Sequence, residues 1–284
     1  MNQQTPRRES LASIGQRRLH AVRTKGIYVL PNAFTAASLF AAFYGIIQAM
    51  NGEFGTAAIA VFFSMVLDGM DGRVARLTHT QSEFGVQMDS LADAVAFGVA
   101  PALIIYEYAL SGLGKLGWAA AFIYAFCAVL RLARFNCNVG VVSKSWFQGL
   151  PSPAAAALVC GFVWLAVENH LPDWFIPYRS TAAFIITLYA GLTMVSNAPF
   201  FSGKSITVVR TIPFWVVIVL AALFIIVSSN TSLSIFVLFC IYALTGYFYE
   251  FWCWWRGRPN PIQADLAAQQ AAEAAAQSAE KTTP

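Results

Sequence analysis

Apolar runs of about 20 residues recur along nearly the whole chain, and this recurrence limits the fold more than any other feature. At 1.5 Å per residue, such a run makes a helix about 30 Å long, the thickness of a bilayer's hydrocarbon core. Eight runs can be counted, at approximately 28–49, 54–76, 83–110, 115–139, 151–168, 174–197, 210–228 and 232–253. The breaks carry turn formers or charges: Asn51-Gly52-Glu53, Gly112 to Lys115, Pro172-Asp173, Gly203-Lys204 and Ser228 to Ser232. In lipid, backbone N–H and C=O groups must be satisfied within the segment, which leaves helices for spans of this length. The expected fold is all-α: one polytopic transmembrane helical bundle of about eight spans, occupying residues 27–256. Composition agrees, since only 11% of the residues are charged, against about 25% in an ordinary soluble domain.

The placement of charge orients the bundle. Residues 1–26 form a basic leader carrying Arg7, Arg8, Arg17, Arg18, Arg23 and Lys25. Leu11, Ile14, Leu19 and Val22 recur within it at roughly helical spacing, as in an amphipathic helix lying on an anionic membrane surface. A disordered basic leader is the alternative. An even number of spans puts both termini on one side. That side then receives the leader, Arg73, Arg76, Arg131, Arg134, Lys144, Lys204, Arg210, Arg256, Arg258 and Lys281, while the other receives only Lys115 and Arg179. The positive-inside rule makes the first side cytoplasmic. Without a cleavable signal or organelle-targeting leader, the expected location is a bacterial cytoplasmic (inner) membrane. The basic residues mark span ends, and no nucleic-acid partner is expected. Residues 257–284 form a polar Ala/Gln-rich tail. The five cysteines show no CxxC spacing and the three histidines are scattered, so neither a disulfide framework nor a zinc site is indicated.

Against this background, four aspartates stand out. Asp68 and Asp71 fall near the end of the second run, and Asp89 and Asp93 near the start of the third. A charged residue within a span costs at least about 2.5–3.5 kcal/mol on insertion scales. Asp68 and Asp71 are three apart, while Gly85, Asp89 and Asp93 are spaced by four, so each set shares a helix face. Two antiparallel helices joined at the cytoplasmic side bring all four carboxylates to similar depth. Four such groups cannot all remain ionised together without cations between them. A ligand set of oxygens alone suits a hard cation, Mg²⁺ or Mn²⁺. Gly72, Ala75 and Gly85 leave room for a phosphate or nucleotide to approach the backbone. Arg76, with Arg73 nearby, offers a phosphate partner. Taken singly, an Asp at a helix end is a cap, a Gly pair is close helix packing and an Arg is topogenic. Four aspartates converging at one depth are not explained by packing.

The pattern Asp68-x2-Asp71-Gly72-x2-Ala75-Arg76-x8-Gly85-x3-Asp89-x3-Asp93 resembles the complete signature of the CDP-alcohol phosphotransferases, with no position departing. The resemblance implies a helical bundle with a cytoplasm-facing site and two divalent metals. It implies that Asp68, Asp71, Asp89 and Asp93 are metal ligands or neighbours, with Asp93 also the general base. Gly72, Ala75, Arg76 and Gly85 would form the CDP-binding edge. Asn32 and Thr35 in PNAFT would add polar contacts to the nucleotide, unless they cap the helix after Pro31. The stretches DSLADAVAFGVAPA (89–102), RLARFN (131–136) and FQGLPSPAAAA (147–157) resemble the bacterial and archaeal membrane-embedded phosphatidylserine synthases of that family. This implies transfer of the phosphatidyl group of CDP-diacylglycerol to L-serine, giving phosphatidylserine and CMP, among membrane lipids. Members are often homodimers, which the sequence neither supports nor opposes.

For the acceptor, a serine carboxylate wants a cation. Arg131, Arg134 and Lys144 lie at the end of the fourth run and in the following loop, and Asn136 and Ser152 could add neutral hydrogen bonds. Ordinary snorkelling would also put basic residues there. Choline, glycerol-3-phosphate and inositol phosphate are the alternative acceptors; Tyr106, Tyr124 and Trp146 are available for a choline cage. The alternative from another class is a cation- or proton-coupled transporter, because intramembrane carboxylates also mark ion pathways.

Overall fold

The computed structural model describes residues 11–78, 82–137, 146–168, 172–202, 228–257, 259–265, 267–268 and 271, with side chains described from residue 31 onward. Helix α1 is Leu11–Met50, α2 Phe54–Thr78, α3 Glu83–Leu113, α4 Lys115–Cys137, α5 Ser152–Val167, α6 Arg179–Val195 and α7 Thr231–Trp255. Seven of the eight apolar runs are thus helices where the sequence puts them, and the run at 210–228 lies outside the described residues. Five stretches are long and apolar enough to cross a membrane: Pro31–Met50, α2, α3, α4 and α7. Helices α5 and α6 are shorter, at 16 and 17 residues. The leader and the first span are one helix, and the spanning stretch begins at Pro31.

Small residues set the closeness of the first two helices. Chain reversal at Asn51-Gly52 uses a positive φ of 82° at Gly52, which glycine adopts without steric cost. A Cβ at Gly45 would come within 3.0 Å of the Ala57 carbonyl oxygen, so α1 and α2 approach backbone to backbone. Ser38 and Ser64 close this interface. Each hydroxyl donates to the other's carbonyl, at 3.0 and 2.9 Å, and the two hydroxyl oxygens lie 2.8 Å apart. Both serines are buried, where unpaired hydroxyls would be costly.

Ser82 starts α3, its hydroxyl accepting from the Gly85 N–H at 3.0 Å. The helix is α-helical to Asp93, π-helical over Ala94–Val99, α-helical over Ala100–Ile105 and π-helical again over Tyr106–Leu110. Pro101 accounts for the first irregularity. It has no N–H for the Phe97 carbonyl four residues back. The hydroxyl of Tyr124 on α4 donates to that carbonyl instead, at 3.0 Å, from a fully buried ring.

Helix α5 is buried on every side, as befits an apolar helix without a polar face. It packs on α2, α3, α6 and α7 and forms the middle of the bundle. At its entrance lies a two-stranded antiparallel ribbon that the all-α expectation did not contain: β1 Trp146–Gln148 paired with β2 Pro199–Phe201, with Phe147 opposite Phe200. Gly149 follows at φ 75°, its N–H donating to the Ala198 carbonyl and that of Leu150 to Thr193.

Candidate active site

The turn between α2 and α3 brings the two aspartate pairs together. Carboxylate oxygens of Asp68, Asp71 and Asp89 all lie within 4.8 Å of one another. Asp93 is within hydrogen-bonding reach of Asp68, and Asp89 of Asp71. Asp71 is 5% exposed and the other three are half-buried. Thr35 on α1 donates its hydroxyl to Asp71 Oδ2 at 2.8 Å, fixing one oxygen and leaving the other for a ligand. Asp89 Oδ1 is, among the described residues, the one buried side-chain polar atom with no hydrogen-bond partner. A buried acceptor without a donor costs about 1–3 kcal/mol, and a cation beside it removes that cost. The orphaned oxygen, the convergence of acidic groups and the purely oxygen ligand set therefore fit a divalent cation.

A cavity of about 270 Å³ opens beside the cluster, lined in part by Asn32, Thr35, Gly72, Ala75, Arg76 and Gly85, and floored by Asp71 and Asp89. The six residues whose motif positions suggest a nucleotide edge thus share one wall system, on three helices. At Gly85 a Cβ would lie 3.2 Å from both Asn32 Oδ1 and Ser82 Oγ, so these side chains would have to give way to a larger residue. At Gly72 a Cβ would meet no atom within 4 Å, so the glycine leaves free space. Ser82, Pro31 and Val86 complete the wall. Sequence reasoning did not single out Ser82, although a serine directly before Glu83 and an apolar run is a helix-start signal.

The four residues expected to bind the acceptor separate. Arg131 is 8% exposed, places its charge beside Asp93 and donates to Ser152 Oγ at 2.7 Å. Arg134, one turn on, is drawn elsewhere: it donates to the carbonyls of Met194, Val195, Ser196 and Gln148 and to Asn197 Oδ1 at 2.9–3.3 Å. Carbonyls at a helix end lack intrahelical donors, and Arg134 supplies them at the end of α6 while holding β1 to it. Asn136 donates to Ser90 Oγ at 3.0 Å, tying the end of α4 to α3 one residue past Asp89. Lys144 lies outside the described residues.

A family model described as CDP-alcohol phosphatidyltransferase matches residues 28–195, which include the aspartate cluster, the cavity, Arg131 and Ser152. The chain is similar to a CDP-diacylglycerol–serine O-phosphatidyltransferase of Helicobacter pylori, 39% identical over 219 residues that cover 77% of this chain and 90% of that protein. A protein of the same name from Mycobacterium tuberculosis is 36% identical over 181 residues, 61% of this chain and 63% of its own. An archaetidylserine synthase of Methanothermobacter thermautotrophicus is 32% identical over 149 residues, 52% of this chain and 63% of its own.

Proposed function

The chain belongs to the CDP-alcohol phosphatidyltransferase family, and from that premise we propose that it transfers the phosphatidyl group of CDP-diacylglycerol to the hydroxyl of L-serine, giving phosphatidylserine and CMP. The observation that carries this reading is the single cavity in which the six nucleotide-edge residues meet Asp71 and Asp89.

On the nucleotide side, Arg76 offers a guanidinium to the diphosphate, and Gly72, Ala75 and Gly85 allow it close to the helix backbones. Asn32 and Thr35 contribute polar contacts from α1. Asp68, Asp71, Asp89 and Asp93 would hold divalent cations, Mg²⁺ or Mn²⁺ and two in number. Such cations supply neutralisation of the diphosphate charge and of the charge on the departing CMP.

On the acceptor side, Arg131 is near enough to Asp93 for its charge to act on that carboxyl group. Arg131 orients serine through its carboxylate, leaving the serine hydroxyl to Asp93. As the serine oxygen bonds to the phosphorus bearing diacylglycerol, its proton passes to the Asp93 carboxylate. The bond from that phosphorus to the CMP oxygen breaks, and its electron pair leaves with CMP. The aspartates sit at the ends of α2 and α3, at the side the charge bias makes cytoplasmic. The diacyl tails stay between helices in the bilayer while cytidine and serine arrive from water.

The test is CMP release from CDP-diacylglycerol by purified protein with Mg²⁺ or Mn²⁺, comparing serine, choline, glycerol-3-phosphate and inositol phosphate. Serine alone is expected to support release. Release with another acceptor would retain the site and change the substrate. No release with any acceptor would favour an ion-coupled transporter.

A further inference from the structure

Arg131 and Arg134 stand one turn apart on the same helix, yet their surroundings differ in kind. The five acceptors around Arg134 leave its guanidinium little capacity for a substrate. A guanidinium carries five N–H donors, and among the described residues Arg131 uses them on one hydrogen-bond partner, Ser152. None of the Arg131 nitrogens is among the buried atoms left without a partner, so the donors that Ser152 does not take stay open to a ligand. Arg131 is 8% exposed, with its guanidinium carbon 5.7 Å from the centre of the Phe135 ring.

Ser152 is well placed to hold that side chain still. It is fully buried, at 0% exposure, and is the first residue of α5. The preceding turn is fixed by the backbone bonds of Gly149 to Ala198 and of Leu150 to Thr193. At Gly149 the chain has a positive φ, and a Cβ there would collide with the Met194 carbonyl. The hydroxyl oxygen thus sits at a set depth on a rigid element, accepting one N–H of Arg131.

We propose that Ser152 is a positioning residue that holds the Arg131 guanidinium beside Asp93 for the acceptor's carboxylate, and so favours alcohols that carry a carboxylate over those that do not. The proposal rests on serine being the acceptor, as read above. Without the Ser152 oxygen, Arg131 keeps its charge but loses the bond that fixes its fork, and the acceptor's carboxylate meets a mobile partner.

The experiment compares wild type with Ser152→Ala and Ser152→Thr in the purified full chain. In Ser152→Ala the apparent KM for serine should rise about tenfold, the effect of one charge-assisted hydrogen bond, with KM for CDP-diacylglycerol unchanged. Two competitors supply a readout that general loosening would not move. Inhibition by 3-hydroxypropionate, which has the hydroxyl and carboxylate but no amine, should weaken by about the same tenfold factor. Inhibition by ethanolamine, which has no carboxylate, should not change. Ser152→Thr keeps the oxygen and should restore both values. If Ser152→Ala does not accumulate in membranes, Ser152→Cys, whose sulfur is a weak acceptor, takes its place with the same expectations. Equal changes in KM for both substrates, or parallel weakening of both inhibitors, would overturn the proposal. Unchanged kinetics in a variant of serine-active protein would also overturn it. Absence of serine-dependent turnover in the wild type is a separate outcome: it removes the serine reading, and this proposal with it.

Discussion

At the scale of single residues, four aspartates of one type sit in unlike settings. Asp71 has one oxygen tied to Thr35, Asp89 has one oxygen with no partner, Asp68 is within hydrogen-bonding reach of Asp93, and Asp93 feels the charge of Arg131. Asp93→Asn should therefore fold and bind nucleotide but lose about 10²–10⁴-fold in turnover, the usual worth of a general base; rate and CDP-diacylglycerol binding are measured on the same preparation. Turnover near that of wild type would exclude Asp93 as the base. Asp89→Ala removes the orphaned oxygen and should raise the Mg²⁺ or Mn²⁺ concentration needed for half-maximal activity, and an unchanged metal titration would exclude Asp89 as a ligand. These aspartates were legible from their spacing alone, because charge is so costly in an apolar run. The partners of Arg134 were not. Four of the five lie 60–63 residues away along the chain, and no local pattern distinguishes an arginine that caps a distant helix from one that awaits a substrate. Arg134→Ala should accordingly lower stability by about 1–3 kcal/mol, since it leaves part-buried carbonyls without a donor, while leaving the ratio of the two substrate KM values near that of wild type. A selective rise in the serine KM would instead return Arg134 to the acceptor site.

At the scale of elements, the helices announce themselves by apolar length and the turns by Gly, Pro and Asn. The departures come from features shorter than any periodicity. Strands of three residues, such as Trp146–Gln148 and Pro199–Phe201, carry too little alternation to be read, and they form because the chain ends they join are brought together by α4, α5 and α6. The π turn after Asp93 has a legible cause in Pro101, but the donor that satisfies Phe97 comes from another helix. Tyr124→Phe isolates that bond, keeping the buried ring and deleting the hydroxyl. It should cost about 1–3 kcal/mol in stability for the stranded carbonyl, as read by thermal unfolding in detergent. No loss would mean that Phe97 finds another partner and that Tyr124 does not support the turn. The cavity is likewise a property of several elements: α1 gives Asn32 and Thr35, α2 gives Gly72, Ala75 and Arg76, and α3 gives Gly85. Their common destination follows from the motif's spacing, but the contribution of Ser82 to the wall does not.

At the scale of the whole molecule, a core helix enclosed by others and a lipid-facing shell of large apolar side chains describe a protein made for a bilayer. Trp254 and Trp255 are 75% and 71% exposed at the end of α7, beside Arg256, whose guanidinium lies 4.4 Å from the Trp252 ring centre. An aromatic and basic girdle of this kind is typical of a membrane–water interface. The positive-inside expectation, with the basic residues at the span ends, would set the aspartate cluster on the cytoplasmic side, and that orientation is open to direct test. In a cysteine-free background, a membrane-impermeant thiol reagent added to intact cells should label Asp173→Cys and spare Arg256→Cys; the reverse pattern would invert the topology. The central claim is that one chain joins serine to the phosphatidyl group of CDP-diacylglycerol. It is tested most directly by incubating the purified protein with radiolabelled serine, CDP-diacylglycerol and Mg²⁺ or Mn²⁺, then counting label in the lipid extract. The account predicts lipid-borne label that requires CDP-diacylglycerol and the divalent cation and is lost in Asp93→Asn. Label that stays in the aqueous phase under all of these conditions would contradict it.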